Sequence, residues 1–245
     1  YKRLARITRK RGARDYGVLG RLIALPSFPL DELEKLPRAV QAARDSVSAL
    51  DAKALLVFEG KERSYRLVSS AASRPDRGAE SGYVTRPAGR NPALEELLFR
   101  PLGELERSLL SCAEILRRAL EQTPDDLSEE RAVYEAKVFM RGLTEEAALC
   151  AAFREFEEHP EKVFWLEKAK TSQGEVYVRY TATPLDIGSI MDEAVFSKFR
   201  SVICTSATLS VGESFDFWKS RVGLRKGEVP VETAVYASPF PFRTN

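Results

Sequence analysis

The sequence has 245 residues, of which 44% are hydrophobic and 30% are charged, and its formal net charge is +2. This composition is ordinary for a folded globular protein and argues against a disordered chain. No apolar run approaches the roughly 20 residues that a membrane-spanning helix requires, and no signal peptide opens the chain. We therefore expect a soluble, cytoplasmic protein with no membrane partner. Because the chain starts at Tyr1 rather than at Met, we also expect an internal segment of a larger protein.

The cysteine content excludes further classes of protein. Cys112, Cys150 and Cys204 lie far apart and form no CxxC pair. This spacing provides neither a disulfide framework nor a set of zinc or iron–sulfur ligands. We therefore predict a reducing compartment and no metal bound by this chain.

The first 21 residues are strongly basic and contain one acid, Asp15. A run of cations of this kind can contact phosphate, and it can equally lie on the solvated surface of a terminal helix, so both interpretations stay open. The candidate DNA-binding residues in this run are Arg3, Arg6, Arg9, Lys10, Arg11 and Arg14.

Residues 1–60 are predicted to be largely helical, with breaks at Pro26 and Pro29. Steps of three and four residues predict one apolar helix face. That face contains Leu33, Leu36, Val40, Ala43, Val47 and Leu50. Residues 54–58 then predict a strand, and residues 64–68 a possible partner strand. Residues 69–92 are rich in Ser, Pro, Gly and Arg, which predicts a loop.

A long helical hairpin is predicted next. Its first helix has a seam of apolar residues at alternating steps of four and three. The seam consists of Leu98, Leu102, Leu105, Leu109, Cys112, Leu116 and Ala119. A turn at 123–126 leads to a second helix that we expect Ser128 to cap and Gly142 to interrupt. The hairpin is about 30 Å long at 1.5 Å per residue, and it is either a rigid structural element or a DNA contact.

The pattern changes after Pro160. Residues 163–166 and 176–181 predict two strands, the second ending at Pro184. Further along, an amphipathic helix with Asp186 as its cap, a strand buried on both faces and a helix that closes at Gly223 are predicted. These three elements and a last strand span residues 187–199, 201–205, 212–221 and 231–236. The end of the chain is therefore predicted to be βαβ-like.

The segment Thr205-Ser206-Ala207-Thr208-Leu209 directly follows the predicted buried strand. Open α/β sheets bind ligands at the carboxyl ends of such strands. Serine and threonine hydroxyls there can bond to a carboxylate or a phosphate and change partners easily. The flanking segments are Pro184-Leu185-Asp186-Ile187, residues 196–203, Phe215-Asp216-Phe217-Trp218, Arg221-Val222-Gly223-Leu224 and Ser238-Pro239-Phe240.

This ordered set resembles the DinG-type helicases, bacterial relatives of XPD within helicase superfamily 2. The resemblance is specific over residues 163–240 and looser over residues 1–160. It implies a mixed α/β fold that begins with a helical bundle and ends in a βαβ-like piece. Residues 1–160 would be an Arch-like, mostly helical insertion with a long hairpin and small strands. Residues 161–225 would be the C-terminal part of the first RecA-like domain, and residues 226–245 the start of the second domain or a linker.

The resemblance also implies a function, that of an ATP-dependent DNA helicase moving 5′ to 3′. Thr205, Ser206, Ala207 and Thr208 would form a motif that couples ATP hydrolysis to translocation. The implied partners are single-stranded DNA and the remaining helicase domains of the same chain. The parent protein would use ATP and Mg²⁺, and any iron–sulfur cluster would lie outside this segment.

This sequence contains no GxxxxGK[ST] phosphate loop and no QxxGRxxR arginine-finger motif. Phosphoryl transfer requires a cradle for the phosphates and a held magnesium ion, so the segment alone is not expected to hydrolyse ATP, and we assign it no catalytic residue. Asp192-Glu193-Ala194-Val195 is close to a DEAH box, but we place it in a helix and reject it. The alternative hypothesis is a non-catalytic nucleic-acid-binding or protein-interaction module with a degenerate motor motif.

Overall fold

Helices form most of the first two-thirds of the structure. The computed structural model describes residues 2–8, 10–11, 14–15, 17–58, 63–68, 85–88, 90–206, 208–224 and 230–236. Its α-helices are α1 (Lys2–Ile7), α2 (Val18–Ile23), α3 (Leu36–Leu55), α4 (Pro92–Leu94), α5 (Arg100–Glu121), α6 (Arg131–Arg154), α7 (Gly188–Met191) and α8 (Asp216–Arg221). Short 3₁₀ turns lie at Leu33–Lys35, Asp125–Leu127 and Phe156–Glu158, and π-helical turns at Glu95–Phe99 and Asp192–Phe196.

The strands form two sheets. They are β1 (Lys10–Arg11), β2 (Arg14–Asp15), β3 (Ser64–Leu67), β4 (Thr85–Ala88), β5 (Lys162–Lys170) and β6 (Val176–Pro184). β1 and β2 pair as a short antiparallel ribbon, and the larger sheet has the order β4-β3-β5-β6. The molecule is therefore a mixed helix and strand protein, as the sequence predicts at that level.

The apolar faces predicted from helical periodicity are confirmed. Five of the six positions predicted on the face that ends at Leu50 are buried, and Val47 packs against the same core. Every residue of the predicted seam from Leu98 to Ala119 is buried. Arg154 Nη1 lies 2.6 Å from Glu106 Oε2, so the end of α6 meets the beginning of α5 and the two helices are antiparallel.

Two details of the predicted hairpin are wrong. α6 begins at Arg131 after Glu130, and no side chain caps it, because a 3₁₀ turn occupies the residues before Ser128. Gly142 does not interrupt α6. It is buried, and a Cβ there would overlap the Arg3 guanidinium, so the glycine lets that side chain cross the helix.

The strand predicted at residues 54–58 is also wrong. α3 continues to Leu55, and its hydrogen bonding extends through the next turn, with Val57 N 3.1 Å from Ala54 O. Val57 and Phe58 enter the core from the end of a helix. A five-residue apolar run fits either structure, so local pattern alone does not separate them.

The larger sheet confirms the strands predicted at 163–166 and 176–181, and the one beginning at Ser64. β3 pairs antiparallel with β5 and parallel with β4. β4 lies in the segment predicted to be a loop, so that prediction is wrong at residues 85–88; residues 69–84 and 89 lie outside the described residues. Phe153 of α6 packs on this sheet, with ring centroids 5.1 Å from Phe164 and 5.6 Å from Tyr180.

Asp51 of α3 binds the edge of this sheet. β6 is an edge strand of the described sheet, and its Val178 N–H donates a 2.8 Å hydrogen bond to Asp51 Oδ1. An exposed strand edge is otherwise a template for pairing with another chain. Asp51 therefore satisfies one edge donor and ties α3 to the sheet.

We expect Asp51→Ala to lower the free energy of unfolding by about 1–3 kcal/mol, because a half-buried N–H loses its acceptor. Urea denaturation followed by circular dichroism measures this difference. Asp45→Ala is the matched control, because Asp45 is exposed on the same helix and accepts only from Gln41, one turn away. A surface change of that kind alters stability by about 0.5 kcal/mol or less. Equal effects of the two substitutions would contradict the role of Asp51.

The chain divides into two compact units, residues 1–183 and 184–245. β5 and all but the last residue of β6 belong to the first unit. The domain boundaries predicted near residues 160 and 225 come from family resemblance, and they stay predictions.

The βαβ-like pattern predicted for the second unit is wrong for its described residues. Residues 201–205 are exposed and form no strand, with Ile203 89% exposed, and residues 230–236 form none either. A β-branched sequence forms a sheet only where a neighbouring strand provides hydrogen bonds and packing, and no described segment pairs with these residues. The helices predicted after Asp186 and before Gly223 do form, although α8 starts four residues later than predicted.

Candidate coupling motif and basic surfaces

The predicted coupling motif lies on an exposed turn that contains a pair of hydroxyl groups. Ser206 Oγ and Thr208 Oγ1 are 2.9 Å apart, and Thr208 N donates to Ser206 Oγ at 3.2 Å. Thr205 is exposed beside them, and Ala207 lies outside the described residues. This local hydrogen bonding between side chain and backbone fixes the turn without help from a sheet. Each hydroxyl keeps further capacity to donate or accept, so the pair can bond to an incoming anion.

Two glycines bring together the ends of the segment that contains this motif. A Cβ on Gly223 would lie 2.6 Å from Gly188 O, so the two backbones are in direct contact. Gly223 has φ +83°, and the Leu224 N–H that follows donates to Lys219 O at 2.9 Å, which closes α8 as predicted. Ile187, not Asp186 as predicted, is the N-cap of α7, and Asp186 lies one residue before it, where its Oδ1 accepts a 2.8 Å hydrogen bond from Gly188 N. Residues 188–223 therefore form a closed loop that contains the motif.

The structure does not gather the predicted N-terminal cations into one described surface. Arg3 Nε pairs with Glu146 Oε1 at 3.2 Å and crosses α6 at Gly142. Arg6 is exposed. Arg9 lies outside the described residues, and for Lys10, Arg11 and Arg14 only the backbone is described, in β1 and β2. A DNA contact by these residues stays a prediction.

A second group of exposed side chains, not predicted as a site, lies on the outward face of α6. It consists of Tyr134, Lys137, Val138 and Arg141. The sequence predicts a helix here but does not indicate which face meets α5. Two features of the sequence identify the group. Positions 134, 137, 138 and 141 share one face of a helix, and the small residues at 132, 136 and 147, which are buried, mark a different face.

The three cysteines differ in environment. Cys112 and Cys150 are buried in the helical core, and this burial raises the pKa of Cys112 to about 11 and that of Cys150 to about 12. Cys204, directly before Thr205, is exposed. Within the described part of the chain, no three His, Cys, Asp or Glu side chains come together as a metal site. Asp192 and Glu193 lie in a helical turn, as the sequence pattern predicts, and not at the end of a strand, where a DEAH box lies.

Comparisons with known proteins do not identify a family. Neither the models of protein families nor the curated proteins give a match to this chain. Among the described helices, none combines the length and the apolar character needed to cross a bilayer. The class that the fold defines is therefore mixed α/β, and the assignment to a helicase family is a proposal.

Proposed function

We propose that this chain is part of an ATP-dependent DNA helicase of the DinG type. In this proposal the first unit contains an Arch-like insertion that shapes the passage for single-stranded DNA. The second unit couples ATP hydrolysis to movement through Thr205, Ser206, Ala207 and Thr208. The remaining helicase domains of the same chain hold ATP and Mg²⁺, since this sequence has no phosphate loop.

The observation that carries the proposal is the exposed hydroxyl pair within the ordered set of flanking segments. Ser206 and Thr208 bond to each other at 2.9 Å, while both side chains remain exposed. A hydroxyl can exchange one partner for another at small free-energy cost, because it both donates and accepts. The two hydroxyls can hydrogen-bond to each other when no anion is bound, and to a phosphate or carboxylate when one binds. Such an exchange of partners suits a coupling role.

Exposed apolar side chains near the motif support a larger assembly. Ile203, Phe217 and Tyr236 are each more than half exposed in the second unit. Apolar side chains like these gain free energy when another part of a protein packs on them and removes them from water. In the proposed enzyme, the remaining helicase domains cover these residues.

The test is the combined variant Ser206→Ala/Thr208→Ala in the parent helicase. We expect unwinding to slow by about tenfold or more, the rate equivalent of losing one hydrogen bond to a charged group, while nucleotide affinity changes little. A strand-displacement assay and a fluorescent-nucleotide titration measure the two quantities.

Ser201→Ala is the matched control, because Ser201 is an exposed serine four residues before the motif. Unwinding that is unchanged in the double variant would overturn the coupling role. A parent sequence without a phosphate loop would favour the alternative, a non-catalytic nucleic-acid-binding or protein-interaction module.

A further inference from the structure

The outward face of α6 carries one aromatic, one aliphatic and two cationic side chains in a single stripe. Tyr134, Lys137, Val138 and Arg141 are spaced i, i+3, i+4 and i+7, which places them on the same side of an α-helix. The stripe is about 10 Å long at 1.5 Å per residue. All four side chains are exposed, and the opposite side of the helix is buried.

The core does not require the apolar members of this stripe. Tyr134 is 66% exposed and Val138 is 49% exposed. The interface of α6 is already filled by Val133 and Ala136, which are 1% and 0% exposed. The Tyr134 ring stacks on no other ring within the described part of the molecule, and about two-thirds of the residue is open to a ligand.

The charges around Tyr134 favour an anion. Lys137 and Arg141 make no ion pair with any residue that the structure describes. The neighbouring acid, Glu135, is engaged by Arg21 of α2 and by Arg131, whose Nε is 3.1 Å from Glu135 Oε1. Two exposed acids bound the positive stretch on this face, Glu130 one turn before Tyr134 and Glu145 one turn beyond Arg141.

We infer that this stripe of α6 binds single-stranded nucleic acid, with Tyr134 stacking on a base and Lys137 and Arg141 contacting phosphates. Aromatic side chains beside cations form the recurring surface for unpaired strands. An acidic peptide offers anions but no planar base for the ring, and a duplex keeps the faces of its bases stacked inside. The inference deepens the proposed function, since it locates a contact for the strand on which the helicase would move.

The test is fluorescence anisotropy of a labelled oligothymidine titrated with the 245-residue chain at several salt concentrations. For Lys137→Ala/Arg141→Ala, we expect the log–log salt slope to become shallower by about 1.4, because each single-strand phosphate contact contributes about 0.7. For Tyr134→Ala, we expect about tenfold weaker binding to the oligothymidine, equivalent to one lost stacking contact. The same variant should bind an abasic strand as well as the original chain does.

The charge control is Arg38→Ala/Arg107→Ala, which removes two exposed cations from α3 and α5 and should leave the slope near its original value. Circular dichroism checks that each variant remains folded. A slope that changes equally in both double variants would overturn the site, as would a Tyr134→Ala effect that persists on the abasic strand. Stronger binding to polyglutamate than to oligothymidine would assign the stripe to an acidic protein partner and overturn the nucleic-acid inference.

Two measurements, strand binding by the α6 variants and unwinding by the motif variant, distinguish failure of the α6 site from failure of the proposed coupling role. If the α6 variants bind the strand normally while Ser206→Ala/Thr208→Ala in the parent helicase slows unwinding as expected, the α6 site is wrong and the coupling role stands. If the α6 variants lose binding while the motif variant unwinds normally, the site stands and the coupling role is wrong.

Discussion

Phe153→Ala is expected to lower the free energy of unfolding of the first unit by about 3–5 kcal/mol, the usual range for removing a buried phenylalanine. Phe153 is fully buried and its ring meets two aromatic residues of the sheet, Phe164 and Tyr180, both edge-to-face. Alanine would leave a cavity where α6, β5 and β6 meet. Urea denaturation monitored by circular dichroism measures the loss.

Tyr134→Ala is the matched control for this prediction. It removes an aromatic ring of similar size from the same helix, but from its exposed face. A surface substitution of this kind is expected to change stability by about 0.5 kcal/mol or less. If the two variants lost the same stability, the assignment of Phe153 to the centre of the core would be contradicted. A stable Tyr134→Ala protein would also show that its nucleic-acid binding can be measured without interference from unfolding.

Gly223→Ala is expected to open the loop formed by residues 188–223. An alanine at φ +83° is disfavoured by roughly 1–2 kcal/mol, and its Cβ would in addition lie 2.6 Å from Gly188 O. Neither backbone can yield without moving its helix, so α7 and α8 should separate. Hydrogen exchange measured by mass spectrometry should therefore show faster exchange at the Leu224 N–H, which donates to Lys219 O.

Gly212→Ala distinguishes the close contact from the backbone conformation. Gly212 lies in the same unit at φ +64°, but a Cβ there meets nothing within 4 Å. It should incur the conformational free-energy cost alone and leave the exchange of α8 nearly unchanged. If Gly212→Ala accelerated exchange at Leu224 as much as Gly223→Ala does, the contact between the two glycines would have no special role.

The helical part of the fold could be predicted from sequence because its information is local and repeated. The seam from Leu98 to Ala119 repeats one spacing over six turns, and each of its residues is buried. The pattern predicts a strand at the end of α3 because a short apolar run such as residues 54–58 is typical of a strand and of a buried helix end alike. The pattern also predicts a break at Gly142. The structure instead requires a glycine there because the Arg3 side chain, which comes from a distant part of the sequence, crosses α6 at this point.

The candidate sites show the same division between local and tertiary information. The sequence places the hydroxyls of Ser206 and Thr208 close together, because one residue separates them, but it does not predict the 2.9 Å hydrogen bond that joins them. Whether the strand expected before them forms could not be predicted, because a strand exists only with a partner, and no described segment pairs with residues 201–205. The exposed face of α6 could not be predicted either, since the sequence does not indicate which side of an evenly mixed helix meets α5.

The different environments of the cysteines make the wild-type chain suitable for site-selective labelling. Maleimide reagents react with the thiolate form of cysteine, and burial keeps Cys112 and Cys150 protonated and inaccessible. Cys204 is exposed and adjoins Thr205. A single fluorophore can therefore be attached to Cys204, two residues before Ser206, without replacing any other cysteine. Its emission would report, in real time, when the surroundings of that turn change.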